Sequence, residues 1–118
     1  MALYNPTSNT FNNNNHIEQI YLNGSSVTVN NDITLLCINP AATIANLTIT
    51  LTENPIDGQE IKLSFGGSIT TGIVITNLTI QGNTGQTILN PATISTSPIV
   101  GEGYIFKYQA LTNLWRLF

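Results

Sequence analysis

The sequence predicts an all-β fold of short strands, and three observations carry that prediction. Apolar and polar residues alternate: Leu47, Ile49 and Leu51 are interleaved with Thr48, Thr50 and Thr52, and Ile61, Leu63 and Phe65 with Lys62 and Ser64. This is the period of a strand with one buried face. The runs are rich in Ile and Thr, whose branched Cβ suits a pleated surface. Turn-forming pairs separate them: Asn39-Pro40, Asn54-Pro55, Asp57-Gly58, Gly66-Gly67 and Asn90-Pro91,. No segment shows a helical apolar stripe longer than two turns. The expected architecture is a short-stranded sandwich, or an intertwined β-prism or β-helix-like module.

Taken in order, residues 1–22 read as a flexible N-terminal attachment arm. They contain the tract Asn12 to Asn15 in a polar, turn-rich context, which buries too little apolar surface to order itself. Residues 23–118 read as the β-structured domain. Leu35 to Ile38 form its first clearly apolar run. The stretch Ile73 to Ile80 breaks strict alternation: Ile73 and Ile75 fall on one face, and Val74, Leu78 and Ile80 on the other. A strand apolar on both faces must be covered on both, so neighbouring chains are expected to cover it. The last fifteen residues hold five of the nine aromatics. There Tyr104, Phe106 and Tyr108 alternate with Ile105 and Lys107, and Leu114 to Phe118 run back after a short turn. This is an aromatic hairpin.

A weak internal echo is present. Thr43-Ile44-Ala45-Asn46-Leu47-Thr48-Ile49 resembles Val74-Ile75-Thr76-Asn77-Leu78-Thr79-Ile80, and each is followed by a Gly-Gln step, Gly58-Gln59 and Gly85-Gln86. The spacings, 31 and 27, differ. A biased composition explains the likeness as well as a repeat does.

Composition excludes several functions. Its 118 residues suit one domain, and only 8% of them are charged, against roughly 25% in ordinary soluble domains. Asn, Thr, Ser and Gln take the place of charge, giving an electrically quiet surface suited to packing against copies of itself. The net charge is −3, and Lys62, Lys107 and Arg116 are the only basic residues. Phosphate-driven nucleic-acid binding is not expected from so few. No apolar run reaches the ~18 residues of a membrane helix, and the first residues lack a signal peptide's basic start and apolar core. Synthesis in a cytoplasm without membrane insertion is the expectation.

Catalytic chemistry has few candidates. His16 is the sole histidine and Cys37 the sole cysteine, so neither a nucleophile with its base nor a disulfide can be assembled locally. Cys37 reads as a small buried apolar residue. Glu53, Asp57 and Glu60 form the one local carboxylate group, and turn chemistry explains them better than paired-carboxyl hydrolysis does. No cofactor and no metal site is expected. Asn23, Asn46 and Asn77 match a glycosylation acceptor pattern that so Asn- and Thr-rich a chain produces by chance.

Three pieces in order carry a family resemblance: Ile56-Asp57-Gly58-Gln59-Glu60-Ile61, Thr70-Thr71-Gly72-Ile73-Val74-Ile75, and Tyr104-Ile105-Phe106-Lys107-Tyr108 with Trp115. From Ser26 to Phe118 the chain resembles the small β-structured domains of phage and virus fibre proteins. The resemblance implies a non-enzymatic, homotrimeric virion component, a fibre or capsid-decoration module. It would attach to other virion proteins through residues 1–22, or to the host. The chain departs from the pattern in having neither a long shaft nor a separate adhesin tip. Ile73, Ile75, Leu78, Ile80 and Trp115 are the expected interface residues. A second reading makes the aromatic end a carbohydrate-binding receptor domain, with Tyr104 and Tyr108 contacting a host surface glycan. Against it stands core closure, since each aromatic ring can bury roughly 150–250 Å².

Overall fold

The computed structural model describes residues 17–40, 42–66, 75–89 and 93–118, together with the backbone of 3–5 and 10–12. The described residues are all-β, with eleven strands and a 3-10 turn at Ala110–Thr112. Two short strands, β1 (Leu3–Asn5) and β2 (Thr10–Asn12), pair antiparallel as a sheet of their own.

The main body is a stack of coils, each contributing one strand to either of two facing sheets. The first coil supplies β3 (Glu18–Tyr21) and β4 (Ser26–Thr28), the second β5 (Leu35–Ile38) and β6 (Ile44–Thr50), the third β7 (Glu60–Phe65) and β8 (Ile75–Gln81). β3, β5 and β7 pair parallel in one sheet, and β4, β6 and β8 parallel in the other. After β9 (Thr87–Ile88) comes the aromatic hairpin, β10 (Gly103–Gln109) and β11 (Leu114–Leu117). It inserts between β7 and β9, so the first sheet reads β3-β5-β7-β10-β11-β9. Asn113, at φ 51°, takes the left-handed turn position that closes the hairpin, a conformation Asn tolerates better than most residues.

Parallel stacking places equivalent residues above one another. In the first sheet Leu36 aligns with Leu63, and Tyr21, Ile38 and Phe65 form an inward column; all are buried. Facing them are Leu47, Ile49, Ile75, Leu78 and Ile80 of the second sheet, with Leu51 just past β6. Tyr108, Trp115 and Ile88 close the far end of the core.

The echo in the sequence is this register. Leu47 aligns with Leu78 and Ile49 with Ile80, 31 positions apart. The Gly-Gln step recurs after 27 because the second corner, from Thr50 to Gln59, is four residues longer than the third, from Gln81 to Gln86. The repeat is therefore structural, and composition alone does not account for it.

The apparent two-faced strand is also resolved. In β8 both Thr76 and Asn77 lie exposed between the buried Ile75 and Leu78. β6 does the same with Ala45 and Asn46. Two successive outward residues shift the parity, as a bulge does, so Ile75, Leu78 and Ile80 all point inward. Ile73 and Val74 lie outside the described residues.

The expected arm boundary at residue 22 also moves. Residues 18–21 are β3, hydrogen-bonded to β5, and Tyr21 is 4% exposed. The stacked body begins by Ile17, whose N–H donates to Thr34 Oγ1.

Candidate functional site

The corners between the sheets are the most repetitive feature of the molecule. At the second corner Gln59 N–H donates to Ile56 O at 2.8 Å, and Ile56 N–H returns to Gln59 Oε1 at 3.0 Å. At the third, Gln86 N–H donates to Asn83 O at 2.9 Å, and Asn83 N–H to Gln86 Oε1 at 2.9 Å. Both turns place glycine at positive φ, Gly58 at 82° and Gly85 at 81°, which only glycine adopts at little cost. Each Gln amide then reaches back one coil. Gln59 Nε2 donates to Asn31 O, and Gln86 Nε2 to Thr52 O and Glu53 O. Coil-to-coil spacing is thus held by neutral amides.

Beside the second corner lies a groove of about 800 Å³, lined by Asn31, Asp32, Leu35, Asp57, Glu60 and Lys62 among others. Two of the three expected carboxylates, Asp57 and Glu60, line it; Glu53 does not. Asp57 Oδ1 accepts the Ala110 N–H at 2.9 Å, and Gly58 N–H donates to Tyr108 O at 2.8 Å. These bonds tie the corner to the hairpin and give Asp57 a structural task. Among the described residues no group of three or more His, Cys, Asp or Glu could hold a metal ion. His16 lies outside the described residues.

The aromatic hairpin faces inward. Tyr104 packs edge-on against Phe65 at 6.1 Å, and its hydroxyl accepts the Ser95 N–H at 2.7 Å. Tyr108 lies 5.0 Å from Trp115 and donates to Asn113 Oδ1 at 2.8 Å. The two tyrosines considered for glycan contact thus turn their rings toward the core and engage their hydroxyls within the chain. Trp115 is fully buried, and its Nε1–H donates to Gln86 Oε1 at 2.8 Å. Ile75, Leu78, Ile80 and Trp115, expected at a subunit interface, are covered within the single chain.

Alternation sends the other residues of the first sheet outward. Lys62, Lys107 and Arg116, every cation of the chain, lie exposed on this one face. Lys107 stands between Glu60 on β7 and Arg116 on β11. Ile20, Leu35, Cys37 and Ile105 lie among them, with Ile20 59% exposed. Burial, and secondarily the Glu18 carboxylate, pushes the Cys37 thiol up from its ordinary value, which disfavours the reactive thiolate. The outer face of the second sheet is uncharged, with Ser26 and Thr48, then Thr48 and Thr79, in adjacent register.

Sequence reasoning missed the role of the glutamines and the gathering of the cations. The repeated Gly-Gln step was the signal for the first. The second had none, because Lys62 lies far in sequence from Lys107 and Arg116. No family model, no curated protein and no solved structure matches this chain.

Proposed function

We propose that this chain is a non-enzymatic structural module of a virion exterior, a homotrimeric fibre or decoration protein that attaches to another virion component or to the host. The stacked coils with their amide-bridged corners carry this reading most directly. Such a stack grows by addition of like units, and its corners use neutral side chains whose bonds do not weaken with salt. That suits a component exposed to varied ionic conditions. The sequence resemblance to fibre domains adds to it, as does the low charge. Antibodies raised against the chain should decorate the outside of intact particles in immuno-electron microscopy. Absence of the chain from purified particles by mass spectrometry would overturn the proposal.

The carbohydrate-binding reading keeps one supporting observation, the groove beside the second corner with Asp32, Glu60 and the exposed Ile56 at hand. If it holds, a glycan array should give signals that Asp32→Asn and Glu60→Gln abolish. An array without signals removes it.

A further inference from the structure

We propose that Asn23 is a site of spontaneous covalent modification, converted through attack by its neighbour Gly24 into aspartate and isoaspartate. Asn23-Gly24 is the only Asn-Gly pair in the sequence. It lies in the turn that carries the chain from β3 in the first sheet to β4 in the second, and residues 22–25 are all exposed.

The chemistry is an attack of the chain on itself. Gly24 N, having lost its proton to solvent base, adds to Asn23 Cγ. The Cγ–Nδ2 bond breaks, Nδ2 takes a proton from water and leaves as ammonia, and a cyclic succinimide remains. Water then opens the ring. Breaking the new Cγ–N bond gives aspartate in the original main chain. Breaking the bond from that nitrogen to the Asn23 carbonyl carbon gives isoaspartate, whose main chain runs through Cβ and Cγ. Nothing is oxidised or reduced, and water is the only co-reactant. Nucleophile and electrophile sit on adjacent residues, so the rate depends on access to the attack geometry.

The structure leaves that access open at Asn23. Gly24 has φ 107°, and a Cβ there would meet nothing within 4 Å. Without a side chain its nitrogen is unscreened. Among the described residues neither the Asn23 amide nor the Gly24 N–H makes a hydrogen bond. The flanks of the turn are held instead. Asn39 N–H donates to Tyr21 O, the Tyr21 hydroxyl to Gly24 O, and Thr48 N–H to Ser25 O.

Elsewhere the fold blocks the same reaction. Asp57-Gly58 is the corresponding acidic pair, with its glycine also at positive φ. There Asp57 Oδ1 accepts the Ala110 N–H, and Gly58 N–H donates to Tyr108 O. Electrophile and nucleophile are both tied to the aromatic hairpin. At the third corner Asn83 Oδ1 accepts the Thr84 N–H and Asn83 Nδ2 donates to Leu51 O. Asn46 and Asn77 are exposed, but they lie within strands and precede the buried Leu47 and Leu78.

The product changes the turn. A neutral amide becomes a carboxylate, which makes the chain one unit more negative than −3. Isoaspartate also lengthens the main chain between the bond at Tyr21 O and the bond at Ser25 O. The connection between the first strands of the two sheets therefore alters as the molecule ages. This inference is independent of the exterior role proposed above.

Incubation of the full-length folded chain at mildly alkaline pH tests it, read by isoelectric focusing and by peptide mapping for isoaspartate. The chain should shift toward acid, with isoaspartate and aspartate at residue 23, at a rate close to that of a free peptide of residues 20–27. The rate should rise with pH, because the deprotonated nitrogen attacks. Asn23→Gln, whose longer side chain must close a larger ring, should lose the signal at that position. Asp57 should gain isoaspartate only once the chain is unfolded in denaturant. A folded chain whose Asn23 persists while the peptide converts overturns the inference, whether or not the variant folds. Isoaspartate forming at Asp57 of the folded chain as fast as at Asn23 overturns it too.

Discussion

Trp115 joins three parts of the molecule at one side chain. It is fully buried, it contacts Tyr108 across the hairpin, and its Nε1–H ends on the third-corner Gln86. Trp115→Ala should cost about 3–5 kcal/mol, the usual range for emptying a large aromatic site. Trp115→Phe keeps most of the volume but removes one of the two donors to Gln86 Oε1, leaving the Asn83 N–H, and should cost less. Denaturant melts of the two variants check the order. A second residue reports through pH. Burial raises the Tyr21 phenol above its ordinary value, and the neutral hydroxyl donates to Gly24 O. A group raised in the folded state contributes stability that is fully present below its unfolded value, about 10, and lost as pH rises through the folded one. Stability should therefore decline from about pH 10 upward, and Tyr21→Phe should flatten that decline. An unchanged alkaline profile in Tyr21→Phe would show that Tyr21 does not drive it.

At the scale of elements, the corners and the strands were legible in the sequence to different degrees. Strands β6, β7 and β10 follow from their alternation, and the corner at Asp57-Gly58 from its turn residues. The successive outward residues at Ala45-Asn46 and Thr76-Asn77 were not legible. Nothing local distinguishes a strand that shifts parity from one that is apolar on both faces, and the inference of an interface along Ile73 to Ile80 came from that ambiguity. Gln59 and Gln86 were visible as a repeated step, but their bonds to the preceding coil depend on tertiary register. Gln86 makes four hydrogen bonds through its side chain, with Asn83, Trp115, Thr52 and Glu53. Gln59 makes two, with Ile56 and Asn31. Leaving a buried partner unsatisfied costs about 1–3 kcal/mol. Gln86→Ala should therefore destabilise the chain by more than Gln59→Ala does, measured by thermal melting; equal losses would mean the two additional bonds of Gln86, to Trp115 and Glu53, contribute nothing.

At the scale of the whole molecule, the two sheets run from β3 and β4 at one end of the stack to β9 and β8 at the other. The all-β class and the closing aromatic hairpin were readable from period and composition. The parallel order of the strands was not, because parallel neighbours lie 17 to 31 positions apart and no local rule joins them. The proposed trimeric, exterior role draws on the stacked coils, their amide-bridged corners and the low charge. The most direct test is the solution mass of the unaltered chain at micromolar concentration, by light scattering or sedimentation equilibrium. The account predicts three times the single-chain mass of 12.8 kDa, persisting on dilution and in high salt. A stable, folded monomer under the same conditions would contradict it.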